Sequence, residues 1–213
     1  MGEMFAELLA KSETKTQSAE TIRQHTDELL KRHELFKQLY PNALTDQEWE
    51  ILKDASEYHD VGKANTKFQN KLRPKEQQLQ DDFEALEEIP HAYLSCAYIP
   101  KEKLKDKYSQ EELKILMQAV YYHHERMEEK GEDSKQIVNA DLEKYIPLLQ
   151  EQHFEIREIP RPDYGRLVKK PKELVDLYPF IKIKGLLNKI DYTASAHVEV
   201  EIPHNDLLHH LDE

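Results

Sequence analysis

Apolar residues recur along most of this chain at intervals of three and four, the spacing that places them on one face of a helix. Alternation of period two is rare. Ile22, Leu29 and Phe36 mark a first helix over 18–39, with His25 on the same face, three residues after Ile22 and four before Leu29. A second helix opens at Thr45, where Glu48 completes a capping-box pattern, and carries Trp49, Leu52 and Ala55 on a face that His59 extends. Gly62 is placed to end it. A short polar helix follows over 65–72, then an acidic stretch, 74–89, that reads as a mobile loop. Pro90 suits the start of a helix over 91–99, whose face holds His91, Leu94, Ser95 and Tyr98. Ser109 and Glu112 form a second capping box. The helix behind them carries Leu113, Leu116, Met117 and Val120, continues into His123 and His124, and is expected to close at Gly131. Residues 134–152 read as helix interrupted near Pro147. The proline-rich stretch 153–171 reads as irregular, with at most a short β element near 154–158. A last helix, 180–197, presents Ile183, Leu187, Ile190, Asp191 and Ala194 inward, and the polar stretch 199–213 reads as a poorly packed tail. The expectation is an all-α fold, with one domain over 1–198 and a tail after it.

Composition narrows what such a bundle can do. The 213 residues can bury a proper core, but only 38% are hydrophobic while 34% are charged, so the core is built from narrow apolar stripes. No apolar run is long enough to span a membrane, and the N-terminus has no secretory pattern. The single cysteine, Cys96, excludes an intrachain disulfide and a thiolate zinc site, so a reducing cytoplasm is expected and any metal must be held by His, Asp or Glu. The net charge of −12 argues against a general nucleic-acid-binding surface and requires any such function to use a local basic track or bound cations.

An HD dipeptide carries little weight alone, since this composition yields about 0.7 by chance. Placement carries more. His25, His59, His91, His124 and Asp191 each fall on the apolar face of a different helix. Each would cost on the order of 1–3 kcal/mol if buried without a partner, against a domain stability of about 5–15 kcal/mol. Convergence on one or two cations removes that cost. Imidazole and carboxylate ligands without thiolate suit a hydrolytic divalent metal site, and an aspartate flanked by histidines can bridge two ions.

At these residues the chain resembles a known family. His59-Asp60-Val61-Gly62-Lys63 is the HD-superfamily signature. The order His25, His59-Asp60, Lys63, His91, His123-His124 and Asp191, with Ser195 one turn after it, resembles the HD nuclease of type I CRISPR interference. That nuclease is the N-terminal part of the CRISPR-associated helicase-nuclease, or a subunit beside a separate helicase. The likeness spans about 20–197. It implies a helical HD bundle around a metal centre holding two divalent ions (Mn, Fe, Ni, Co or Mg). His25, His59, Asp60 and Asp191 would bind one ion. Asp60 would bridge to a second, held by His91, His123 and His124. Adjacent residues of an ideal helix point about 100° apart, so His123 and His124 can share an ion only at a helix end or distortion. Lys63 would contact the scissile phosphate, and Ser195 a ligand or the substrate. Lys63, Lys67, Lys71 and Arg73 form a basic stripe beside the site that could track a phosphate backbone. Arg166, Lys169, Lys170 and Lys172 form a second basic cluster. The implied reaction is attack by a metal-activated water on single-stranded DNA, in company with a CRISPR helicase, in cis or trans, and a guide-RNA surveillance complex. No Walker-type phosphate loop occurs in the sequence. Two other readings stay open: an HD phosphohydrolase of nucleotides or cyclic nucleotides, and a non-catalytic helical adaptor with a structural metal.

Overall fold

The computed structural model describes residues 7–13, 18–124, 137–162 and 174–198. Within these, helices dominate. Two strands, β1 (Leu9–Lys11) and β2 (Glu20–Thr21), form a small antiparallel pair, followed by α1 (Ile22–Leu39) and α2 (Asp46–Tyr58). A 3₁₀ turn at Val61–Lys63 leads to α3 (Thr66–Lys71), α4 (His91–Tyr98), the single turn α5 (Lys101–Leu104) and α6 (Gln110–Tyr121). Beyond the next described stretch come α7 (Ile146–Glu151) and α8 (Leu174–Ser195).

The helix starts follow from capping chemistry. At Thr21, Thr45 and Ser109 the hydroxyl accepts the N3 amide, while the side chain of Gln24, Glu48 or Glu112 accepts the cap amide in return. The faces behind these caps make the core. α1, α2, α6 and α8 pack on one another, and α4 packs on both α6 and the 3₁₀ turn. Trp49, Leu52, Tyr98, Leu116, Leu187 and Ile183 are essentially sealed from solvent. His33 shows the ordinary fate of a buried histidine: its Nε2 lies 3.0 Å from the Trp49 carbonyl, and its ring meets the indole edge-on.

Several expectations need correction. The β element lies at 9–11 and 20–21, whereas the described part of 153–171 is irregular backbone tied to α4 by bonds from the Arg157 and Arg161 amides to the Tyr98 and Ala97 carbonyls. The first helix begins at Ile22, because Glu20 and Thr21 pair with β1. α2 ends at Tyr58 rather than at Gly62. α6 ends at Tyr121, so His123 and His124 lie past the helix end, and Gly131 falls outside the described residues. The helical stretch before Glu151 is interrupted as expected, by a 3₁₀ turn at Leu142–Tyr145, and Pro147 then sits in the first turn of α7, where its missing N–H has no partner to lose. α8 begins earlier than expected and runs through Pro179. The acidic stretch is fastened rather than loose: Leu79, Phe83 and Leu86 pack against the core, and Asn70 holds Leu79 through both its backbone groups. The tail and the cluster Arg166, Lys169, Lys170 and Lys172 fall outside the described residues. Tyr121 and Tyr122 meet edge to face, with Tyr121 buried in the core.

Candidate metal centre

His59 caps the C-terminus of α2, its amide still bonded to the Ala55 carbonyl. Its Nδ1 lies 2.9 Å from the Ser56 carbonyl, which fixes Nδ1–H as donor and turns the Nε2 lone pair inward. Asp60 then leaves the helix and the chain turns through Val61–Lys63. Ser95 of α4 clamps this turn: its hydroxyl donates to the His59 carbonyl at 2.7 Å and accepts the Gly62 amide at 2.8 Å. The approach is so close that a Cβ on Gly62 would lie 2.1 Å from the His91 carbonyl oxygen and 2.3 Å from the Ser95 nitrogen, so only glycine fits. This clamp brings His91, the first residue of α4, to Asp60.

Asp60 is buried between two sets of imidazoles. Its Oδ2 lies 3.4 Å from His59 Nε2 and 3.5 Å from His25 Nε2. Its Oδ1 lies 3.1 Å from His91 Nε2 and 3.9 Å from His123 Nε2. Asp191, from α8, closes the first set, with Oδ1 3.1 Å from His25 Nε2 and 3.9 Å from His59 Nε2, and Ser195 donates to the same oxygen at 3.2 Å. In the second set His91 Nε2 lies 3.3 Å from His123 Nε2 and 3.1 Å from His124 Nε2. Because α6 has already ended, both adjacent histidines turn the same way, which an intact helix would forbid. His25, His59 and Asp60 can each offer a ligand atom within 4.8 Å of the others, and so can His91, His123 and His124.

The donor chemistry fits divalent cations. His59 Nε2 is buried with no hydrogen-bond partner. His123 Nδ1 lies 2.6 Å from the Val120 carbonyl, so its Nε2 lone pair faces the other two imidazoles. Burial pushes the His91, His123 and His124 rings below the usual histidine range; for His123 and His124 the neighbouring His91 reinforces it, and the charge of Asp60 only partly opposes it. Neutral, converging imidazoles are what a metal needs. Burial acts against ionised Asp60, but His59, Lys63 and the bond to His91 prevail and hold its carboxyl well below the usual range. Asp191 is likewise held low against burial by its bond to His25 and by His59. His25 differs. Burial would lower it, but the bond to Asp191 and the neighbouring carboxylates of Glu20 and Asp60 push it up to about 8.

All seven residues anticipated as ligands therefore meet at one centre, together with Lys63, whose ammonium is 2.6 Å from Asp60 Oδ2 and 5.5 Å from the Phe68 ring centroid. The rest of the basic stripe is engaged elsewhere. Lys67 pairs with Asp81 at 2.8 Å, Lys71 pairs with Glu88, and Arg73 donates to the Gln69 side chain and to the carbonyls of Gln69 and Glu7. Three contributors escaped sequence reasoning. Ser95 was placed on the right face but without its role as clamp. Gln69 was missed: its buried amide accepts the Leu9 amide and donates to the Leu9 and Lys63 carbonyls, tying β1 to the turn. Glu20, facing His25 Nδ1 at 3.6 Å, carried no motif.

A helical bundle centred on a His-Asp pair, with further histidines delivered by neighbouring helices, defines an HD-type domain. The family described as Cas3, HD domain, matches residues 9–173, and the chain belongs to it. The match begins at β1 and stops short of α8, which carries Asp191 and Ser195. A search of curated proteins gives no match. Membership implies a metal-dependent nuclease role, a CRISPR setting and a nucleic-acid substrate. Among the described residues no helix is long and apolar enough to cross a membrane.

Proposed function

We propose that this chain is a divalent-metal-dependent phosphodiesterase that cuts single-stranded DNA in CRISPR interference, within a domain running to about residue 198. One observation carries the reading: the two oxygens of a single buried carboxylate, Asp60, each face a separate set of histidines. That is the arrangement of a bridging ligand. His25, His59, Asp60 and Asp191 would hold one ion, and Asp60, His91, His123 and His124 the other. When bound, two such ions activate water and withdraw charge from a phosphodiester.

The chain's own groups complete the site. Lys63 stands at the edge of the centre, where its ammonium can donate to a non-bridging phosphate oxygen as charge builds there. Ser195 keeps Asp191 in register for the first ion. His124, exposed while His123 is buried, marks the side from which a strand enters. Lys67, Lys71 and Arg73 would exchange their present partners for backbone phosphates, which answers the net charge of −12. A CRISPR helicase, in cis or in trans, would feed the strand under a guide-RNA surveillance complex. The lone cysteine, buried at Cys96, suits a cytoplasmic setting.

The test is cleavage of circular single-stranded DNA with manganese, nickel or cobalt against EDTA, beside Asp60→Ala. Nicking that requires both metal and Asp60 is expected. A metal-loaded wild type that leaves DNA intact but hydrolyses nucleotides overturns the reading in favour of a nucleotide phosphohydrolase.

A further inference from the structure

His59 and His123 reach the centre through Nε2, and each has its Nδ1 against the backbone carbonyl three residues earlier. His25 is held differently. Its Nδ1 is buried without a hydrogen-bond partner, and what faces it, at 3.6 Å, is Oε2 of Glu20. That oxygen is 2.9 Å from the ammonium of Lys11, directly across the strand pair. The pair is only three and two residues long, too short to be stable by itself. It is anchored by Leu8 and Ala10, which are buried in the core, and by Gln69, which grips Leu9 through both backbone groups. A strand pair of this size contributes little to a helical core. What it delivers is a carboxylate behind one histidine, with a cation behind the carboxylate.

For His25 to ligate through Nε2, its ring proton must reside on Nδ1. Metal-binding histidines usually donate that proton to a carboxylate or carbonyl, which sets both tautomer and ring orientation. We propose that Glu20 is the positioning residue of the first metal site, accepting the Nδ1 proton of His25 and fixing Nε2 toward the ion, and that Lys11 holds Glu20 in place. This rests on the reading of His25 as a ligand.

The test is calorimetric titration of manganese into the whole chain as wild type, His25→Ala, Glu20→Ala and Glu20→Gln, with a melting curve of each metal-free protein. Wild type should take two ions and His25→Ala one. Glu20→Ala should still take two, with the His25-dependent ion weakened about 10–100-fold and the other unchanged. Glu20→Gln, whose amide oxygen still accepts the proton, should recover most of that loss, and both Glu20 variants should melt alike. If Glu20→Ala binds both ions as wild type does while His25→Ala loses one, the positioning role is overturned and the metal site stands. If both ions weaken equally with a lower melting temperature, or glutamine does no better than alanine, Glu20 is only a structural residue. A wild type that takes no ion overturns the metal reading itself, and the role of Glu20 with it.

Discussion

The ammonium of Lys63 lies 2.6 Å from Oδ2 of Asp60, the oxygen that also faces His25 and His59. A side-chain cation thus shares the oxygen through which the first ion would bind. The same residue is then expected to do two things: neutralise Asp60 in the metal-free protein, and turn to the substrate when an ion takes its place.

Replacing Lys63 with Met should separate these roles. The variant should keep two manganese ions and bind the first at least as tightly, since a competing cation is gone. Turnover on single-stranded DNA should fall about 100-fold, the effect of losing one donor to a charged transition state. Parallel calorimetry and cleavage rates check this; loss of the first ion in Lys63→Met would refute it.

Gly62→Ala should damage both the fold and the second site. The new methyl meets backbone atoms of α4 at 2.1 and 2.3 Å, which no side-chain rotation relieves. Forced repacking of this kind costs about 1–3 kcal/mol, measurable by urea denaturation. As α4 carries His91, the ion held by His91, His123 and His124 should weaken more than the ion at His25.

Metal loading should depend on pH through His25. Its pKa in the metal-free protein is raised to about 8, above an unfolded value of about 6.5. Its contribution to stability is therefore full below about 6.5 and lost as pH rises through about 8. The first ion must displace that proton, so manganese affinity at this site should climb with pH and level off above about 8. His91, His123 and His124 have the opposite sign. Their pKa values are lowered, so their contribution is present above about 6.5 and lost as pH falls. Calorimetry at several pH values, with proton release measured in buffers of different ionisation enthalpy, distinguishes the two sets.

Freeing the basic stripe should strengthen DNA binding. In Asp81→Asn with Glu88→Gln, Lys67 and Lys71 lose their carboxylate partners. Fluorescence anisotropy with a single-stranded oligonucleotide should show tighter binding and a steeper salt dependence. Each added phosphate contact steepens the slope of log K against log salt by about 0.7. An unchanged slope would place the DNA track elsewhere.

The helices were readable because capping boxes and apolar spacing are local. Thr45 with Glu48 and Ser109 with Glu112 announce their helices within four residues. The convergence of His25, His59, His91, His124 and Asp191 was readable because an inward polar residue violates the apolar pattern, whereas Asp60 and His123 were picked out by the family resemblance. The strand pair was not readable. Leu9–Lys11 is too short to show alternation, and its partner lies beyond an intervening loop. Glu20 depends on that pairing, so its place behind His25 was hidden as well. The end of α6 was hidden because His123 bonds back to the Val120 carbonyl and turns the chain out of the helix without glycine or proline. The pairing of Lys67 and Lys71 was hidden for a similar reason: Asp81 and Glu88 lie 14 and 17 residues along the chain, brought back by the packing of 79–86.

The contact between His25 and Asp191 joins residues 166 positions apart. A ribosome must have added at least those 166 residues before His25 and Asp191 can meet. A chain stopped ahead of α8 would carry every histidine of the centre and still lack Asp191. In the proposed centre α8 is the piece that completes the first site, so metal loading there would wait until this helix has docked on α1. Partly made chains would be spared an armed nuclease.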